Sequence, residues 1–148
     1  MNGYTHQIPI HVLIANEKIR SYVKGLCKRN NFHALIDADL EELVNKIKKM
    51  RSAIVIMDYQ VVNNYGARIY SRINVACPGC NAILLCDQDH RDLIKEAMDL
   101  GVYACILAPY EEWEVLTMIR NIIAKNKLQG EKNLIKTENN NWNFNERL

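Results

Sequence analysis

The sequence has no apolar stretch close to the ~20 residues that a helix needs to cross a bilayer. Residues 1–9 also lack a positively charged segment followed by an apolar one, so no secretory signal is expected. The net charge is only +2, which is too small to indicate a binding surface for nucleic acid or for an anionic membrane. These absences predict a cytoplasmic protein whose partner is neither a membrane nor a nucleic acid.

Cysteine is present in a pattern that does not suggest disulfide bonds. The five cysteines are odd in number, and most of them fall in predicted strands or helices. We therefore expect reduced thiols and not a disulfide framework. The other residues are those of an ordinary globular domain, 49% hydrophobic and 24% charged. A chain of 148 residues is long enough for one well-packed domain and too short for two.

Five short apolar runs are separated by stretches of helical length. Each run is continuously apolar, as expected of a strand buried on both faces, and amphipathic stretches lie between the runs. This alternation predicts an α/β fold, a doubly wound five-stranded parallel sheet in a three-layer αβα arrangement. The predicted strands are Val12–Ala15, Ala34–Ile36, Ala53–Met57, Ala82–Leu85 and Ala104–Leu107.

Helices are predicted after each of these strands. Asp39 is expected to cap the second helix and Gly101 to follow the end of the fourth. A polar loop through Asn63, Asn64 and Gly66 is expected before the third. The predicted helices are Glu17–Asn30, Leu40–Met50, 67–75, Asp89–Leu100 and Glu111–Lys125. His90, in the first turn of the fourth, is expected to be a solvated surface histidine more than a catalytic base, and Trp113 on the fifth is expected to face mainly the core.

The composition changes near residue 126, where asparagine becomes frequent and apolar residues become sparse. We therefore expect one domain over residues 10–125 and a polar, Asn-rich tail or linker over residues 126–148. Such a tail could lead to an effector region.

The most informative residue is Asp58, which directly follows the third strand. In open α/β sheets, ligands and chemistry collect at the carboxyl ends of the strands. A carboxylate at this edge therefore marks the predicted functional site.

Four features of the sequence resemble those of the receiver domain of two-component response regulators. They are Asp58, Gly66, the segment 96–101 (EAMDLG) that ends the fourth helix, and Leu107–Tyr110 after the fifth strand. The resemblance covers most of the chain and implies a flavodoxin-like sheet with the strand order 2-1-3-4-5. It also implies signal transduction by phosphorelay, in which the strand-three aspartate accepts a phosphoryl group from a partner's histidine.

The resemblance implies a magnesium site that this sequence has largely lost. Family members hold Mg²⁺ with two acidic residues after strand one, where this chain has Asn16 and Glu17. If the chain is instead matched to the family by its first helix, these two positions are occupied by Ala15 and Asn16, or even by Ile14 and Ala15. At most one carboxylate, Glu17, therefore remains beside Asp58.

The side chains that contact the phosphoryl group in the family are also replaced. Cys86 stands where a Thr or Ser is expected, and Ala108 stands where a Lys is expected. Cys105 replaces the aromatic residue that the family often uses as a rotameric switch. Because preorganised charge is usually the largest catalytic term, these losses predict a degenerate pseudo-receiver that is not an enzyme. At most, Asp58 would be slowly self-phosphorylated.

Two functions from different classes follow. The first is an atypical protein-interaction module that works without phosphorylation and needs no cofactor. It would bind a partner protein or a second copy through the face that the fourth helix, fifth strand and fifth helix form in family members. The alternative is a conventional phosphoacceptor, phosphorylated on Asp58 by a histidine kinase, with Glu17 and Asp87 replacing the lost acids. In that case Glu17 and Asp58 would hold Mg²⁺.

Two other kinds of site are less favoured by the sequence. Cys77 and Cys80 could supply half of a zinc site, completed by His6, His11 or His33, but a Pro-Gly turn with incidental thiols explains them better. A flavodoxin-like cofactor binder is disfavoured because residues 16–18 include no Gly, Ser or Thr to hold a phosphate.

Overall fold

A computed structural model describes the backbone of residues 8–147 and the side chains of residues 8–130. In this part of the chain, helices separate successive strands, as the sequence predicts. The strands are β1 (Ile10–Leu13), β2 (Ala34–Ile36), β3 (Ile54–Asp58), β4 (Asn81–Cys86) and β5 (Ala104–Leu107). The helices are α1 (Glu17–Arg29), α2 (Leu40–Ile47), α3 (Tyr59–Tyr65), α4 (Arg68–Ala76), α5 (Asp92–Asp99) and α6 (Glu112–Arg147).

The five strands form one parallel sheet in the order β2-β1-β3-β4-β5, which confirms the predicted doubly wound, flavodoxin-like fold. Leu13 is in register with Met57, and Asp58 is in register with Leu85. The carboxyl ends of β1, β3 and β4 therefore lie side by side, and the loops that follow them surround Asp58.

Apolar side chains alternate between the two faces of the sheet and form two cores. On one face, Val55 and Met57 pack with buried residues of α2, α3 and α4. On the other face, Ile54 and Ile56 pack with buried residues of α1 and α6. Each fully buried side chain of this size contributes roughly 1.5–3 kcal/mol. The sheet is thus stabilised from both sides, and its carboxyl edge is a rigid support for the loops.

Residues 59–65 form helix α3, although the sequence predicts a polar loop there. The side chain of Asp58 caps this helix by accepting a hydrogen bond from the backbone N–H of Val61 at 3.2 Å. Val61 and Val62 are buried in the core. The loop prediction was wrong because it rested on the two asparagines of the segment and overlooked the cap and the buried valines.

The last helix also differs from the prediction. It runs to Arg147, whereas the sequence predicts an end near Lys125. Gly130 and the asparagines lower the helix propensity of this segment but do not end the helix. The predicted domain boundary at residue 125 remains a prediction. Among the described residues, no helix is both long and apolar enough to span a membrane.

The predicted fourth and fifth helices are α5 and α6 of the structure. The predicted start at Asp89 is wrong, because residues 88–90 form a separate 3₁₀ turn before α5. Gly101 follows α5 with φ of 95°, the left-handed conformation expected after a helix. Asp39 caps α2 as predicted, accepting a hydrogen bond from the N–H of Glu42 at 2.8 Å.

A buried polar link joins β1, β2 and α2. His11 in β1 is fully buried, and its Nδ1 lies 2.8 Å from a carboxylate oxygen of Asp37, just after β2. The other oxygen of Asp37 accepts a hydrogen bond from Lys46 Nζ at 3.0 Å. Lys46 also pairs with Glu42, and the hydrogen bonds to Glu42 and Asp37 raise the pKa of Lys46 above its ordinary value. Because polar groups inside a core are stable only when paired, this link fixes α2 against the strands.

Candidate functional site

Asp58 lies at the end of β3 and is fully buried. One carboxylate oxygen accepts hydrogen bonds from the N–H groups of Ala15 at 3.1 Å and Val61 at 3.2 Å. The other oxygen accepts from the N–H of Asn16 at 2.9 Å. The carboxylate is therefore held by main-chain donors from the β1–α1 loop and from the first turn of α3.

The loop between β1 and α1 supplies two of those donors. Ala15 and Asn16 face Asp58 through their backbone N–H groups, while the side chain of Asn16 caps α1 by accepting from the N–H of Ile19 at 3.0 Å. Glu17 is the first residue of α1 and is exposed. Of the two candidate acid positions at 16 and 17, the structure thus brings only Asn16 onto Asp58, and it does so through the backbone.

Cys86 and Ala108 lie at the ends of β4 and β5, beside the same loops. The buried thiol of Cys86 donates a hydrogen bond to the carbonyl oxygen of His90 at 3.0 Å. The carbonyl oxygen of Cys86 accepts from the N–H of Ala108 at 2.9 Å and from Tyr110 Oη at 3.1 Å. The Ala108–Pro109 peptide bond is cis. These contacts bind the two strand ends to each other through neutral groups.

Three titratable side chains, Tyr59, Asp87 and His90, form a cluster that the sequence does not predict. The rings of Tyr59 and His90 stack with their centroids 4.4 Å apart, and His90 Nδ1 is hydrogen-bonded to the carboxylate of Asp87. Burial, followed by the negative charge of Asp87, raises the pKa of Tyr59. His90 is thus an ordered partner of Asp87 and not the solvated histidine that the sequence favours. In the sequence, the one indication that Tyr59 lies near the site is its position directly after Asp58.

Cys77 and Cys80 flank the Pro-Gly turn before β4, at the opposite edge of the sheet from Asp58. Burial, followed by the hydrogen bond and charge of Cys77, raises the pKa of the Cys80 thiol well above its ordinary range. His11 is engaged by Asp37. Within the described residues, no group of three or more His, Cys, Asp or Glu side chains is arranged to hold a metal ion. His6 lies outside the described residues.

Comparison with known proteins places this architecture in a family. The response regulator receiver domain family matches residues 12–120. A response regulator receiver domain protein from Clostridium thermocellum is 21% identical with a TM-score of 0.71, and the match covers 82% of this chain and 98% of that chain. The signal receiver domain of an HD domain-containing protein from Pseudomonas fluorescens Pf-5 is 20% identical with a TM-score of 0.74, covering 86% and 94%.

A response regulator from Thermotoga maritima is 18% identical with a TM-score of 0.67, covering 79% of this chain and 98% of that chain. At these identities the solved structures show the fold alone. No curated protein matched the chain. The family match spans most of the described domain, from β1 into α6, and includes Asp58 at the end of β3. The chain therefore belongs to the response regulator receiver domain family of two-component signal transduction.

Proposed function

We propose that this receiver domain is a protein-interaction module whose binding does not depend on phosphorylation of Asp58, and that it is not an enzyme. One observation carries the proposal: the carboxylate of Asp58 is buried, and both of its oxygens accept main-chain hydrogen bonds. An attacking oxygen must reach the phosphoryl donor. Phosphorylation would therefore require residues 15 and 16 to move and hydrogen bonds of about 0.5–1.5 kcal/mol each to be lost.

The residues around Asp58 do not fit the Mg²⁺ ion that phosphoryl transfer uses. Mg²⁺ requires near-octahedral oxygen ligands. Ala15 and Asn16 present N–H donors to Asp58, and Glu17 is exposed on α1. The carboxylate of Asp87 is engaged by His90 and Tyr59. The second carboxylate with which proteins usually hold Mg²⁺ is thus not assembled beside Asp58.

The phosphoryl group itself would also lack partners. Cys86 directs its thiol to a carbonyl oxygen, and Ala108 contributes only a methyl group and a backbone N–H that is already bonded. Since phosphoryl transfer depends on positioning and on charge neutralisation, the loss of the hydroxyl and the ammonium removes most of its stabilisation. A signalling role that does not require a phosphoryl group on Asp58 therefore fits these residues better.

The proposed binding surface is the face formed by α5, β5 and α6. Large apolar side chains are exposed on both helices, namely Met98 and Leu100 at α5 and Trp113 on α6. Trp113 is 67% exposed, although the sequence placed it mainly in the core. Exposed aromatic residues are favoured anchors of protein interfaces. The occupant would be a second copy or a partner protein, such as a histidine kinase, and the predicted cytoplasmic location suits either one.

Mass spectrometry tests the proposal against a conventional phosphoacceptor. The purified chain is incubated with acetyl phosphate and Mg²⁺ and then weighed intact, beside Asp58→Asn and a receiver domain known to be phosphorylated. The proposal expects little or no adduct on this chain when the positive control is fully modified. A stoichiometric adduct of about 80 Da that Asp58→Asn abolishes would establish phosphorylation instead.

A further inference from the structure

A cavity opens at the carboxyl ends of β1 and β2, beside the loops that surround Asp58. Its volume is about 230 Å³. It is lined by the ends of both strands, by Arg20 of α1 and by Asn64 and Tyr65 of α3. Drug-sized ligands occupy pockets of roughly 300–1,000 Å³, so this cavity suits a smaller molecule. Its edge of the sheet is the one where open α/β folds bind ligands.

Arg20 is the positively charged group of the cavity wall. Its Nη1 donates one hydrogen bond, to the carbonyl oxygen of Ile14 at 2.9 Å. Among the described side chains it forms no ion pair with a carboxylate. A guanidinium has five N–H donors in a planar fork that matches the oxygens of carboxylates and phosphates. Most of that fork is thus free to bind a ligand.

The carboxylate in the wall is engaged by donors of its own. Asp37 directs one oxygen to His11 and the other to Lys46 Nζ, so both oxygens are already bonded inside the protein. Tyr65 adds a donor, because its oxygen accepts from the N–H of Leu40 at 3.2 Å and its hydroxyl hydrogen remains for another partner. The wall therefore offers hydrogen-bond donors to an oxyanion, from Arg20 and from Tyr65.

We infer that this cavity binds the phosphate or carboxylate group of a small molecule through Arg20. The site lies next to the loop that holds Asp58, since Ile14 anchors Arg20 while Ala15 lines the cavity and donates to Asp58. A bound oxyanion would therefore fix the same loop that phosphorylation would have to displace. The inference does not rest on the proposed function, because it concerns a different set of side chains.

Isothermal titration calorimetry with inorganic phosphate and with succinate, at constant ionic strength in sodium chloride, tests the site. The variants are Arg20→Gln, which removes the charge, and Ala38→Phe, which fills the cavity from an exposed lining position and keeps Arg20. Arg120→Gln makes the same charge change at an exposed position of α6. The comparison of the two anions separates a phosphate site from a carboxylate site.

We expect saturable binding of at least one anion, weakened about tenfold or more by Arg20→Gln and by Ala38→Phe and unchanged by Arg120→Gln. Circular dichroism checks that each variant is folded. If Arg20→Gln does not fold, Ala38→Phe decides the question. Absence of saturable binding of both anions to the wild-type chain, or equal binding by the folded cavity variants, would overturn the inference. Neither result changes the outcome expected with acetyl phosphate, which depends on Asp58.

Discussion

At the scale of single residues, Asp58 has a structural role that its position in the family does not reveal. Its carboxylate caps α3 through Val61 and holds the β1–α1 loop through Ala15 and Asn16. The sequence predicted its place at the end of β3 correctly. It could not predict the three donors, because they are backbone N–H groups whose directions depend on how the loops fold.

Replacement of Asp58 should therefore lower stability. Asp58→Ala leaves three main-chain N–H groups without their acceptor, and we expect the free energy of unfolding to fall by about 2–4 kcal/mol. Asp58→Asn keeps one side-chain oxygen and should lose about half as much. Urea denaturation followed by circular dichroism measures both. Asn16→Ala, which removes only the cap of α1, is the comparison and should cost about 1 kcal/mol. A loss no larger than this for Asp58→Ala would contradict the structural role.

Gly79 makes a second prediction at this scale. A Cβ atom at this position would lie 2.1 Å from the carbonyl oxygen of Arg51, so the Pro-Gly turn needs a residue without a side chain. We expect Gly79→Ala to lower the free energy of unfolding by about 1–3 kcal/mol. Gly130→Ala is the matched control, because nothing lies within 4 Å of its Cβ position on α6. It should be neutral or stabilising by up to about 1 kcal/mol in the same denaturation experiment.

At the scale of elements, the sequence predicted the strands, whose apolar runs are continuous. It missed a helix whose stability depends on tertiary contacts. All five strands were found because each is a short apolar run, although β1 spans Ile10–Leu13 and not the predicted Val12–Ala15. Helix α3 was missed because its stability comes from the cap at Asp58 and from Val61 and Val62 in the core, and not from its own propensity. The prediction for α6 was too short because the change in composition near residue 126 was interpreted as the end of the helix.

Trp113 shows that the type of a residue alone does not predict which face of a helix is buried. The buried residues Val115, Ile119 and Ile122 are spaced four and three residues apart, which defines the stripe that faces the sheet. Trp113 is two residues before Val115, about 200° around the helix, and is therefore exposed. The sequence suggested core because tryptophan is large and apolar, but the phase of the helix decides its side.

The link between β1, β2 and α2 gives a prediction at the element scale. Asp37→Ala leaves His11 and Lys46 without their shared buried partner, and we expect a loss of about 3 kcal/mol in the free energy of unfolding. Asp89→Ala removes an exposed carboxylate that forms no ion pair with the described residues and should change stability by less than about 0.5 kcal/mol. Urea denaturation of the two variants compares them. Equal effects would mean that the link does not hold α2 to the sheet.

At the scale of the whole molecule, two cores hold the sheet and leave its carboxyl edge to the loops. The cavity at Arg20 and the carboxylate of Asp58 lie on this edge, while Met98, Leu100 and Trp113 lie on the helices that flank β5. The proposed partner-binding face and the edge that carries Asp58 and the cavity are therefore different surfaces of the domain. A phosphorylation-independent module needs only the second surface to be complementary to its partner.

The last prediction concerns self-association through that surface. If the occupant of this face is a second copy, we expect Trp113→Glu to weaken pairing of the chain about tenfold or more in sedimentation equilibrium, because it places a charge where an aromatic anchor would be buried. Val75→Glu is the matched control, since Val75 is 83% exposed on α4 and outside the α5–β5–α6 face. Acetyl phosphate and Asp58→Asn should leave the pairing unchanged. If instead acetyl phosphate strengthened it and Asp58→Asn removed the effect, Asp58 would control the surface and the proposed independence would be wrong.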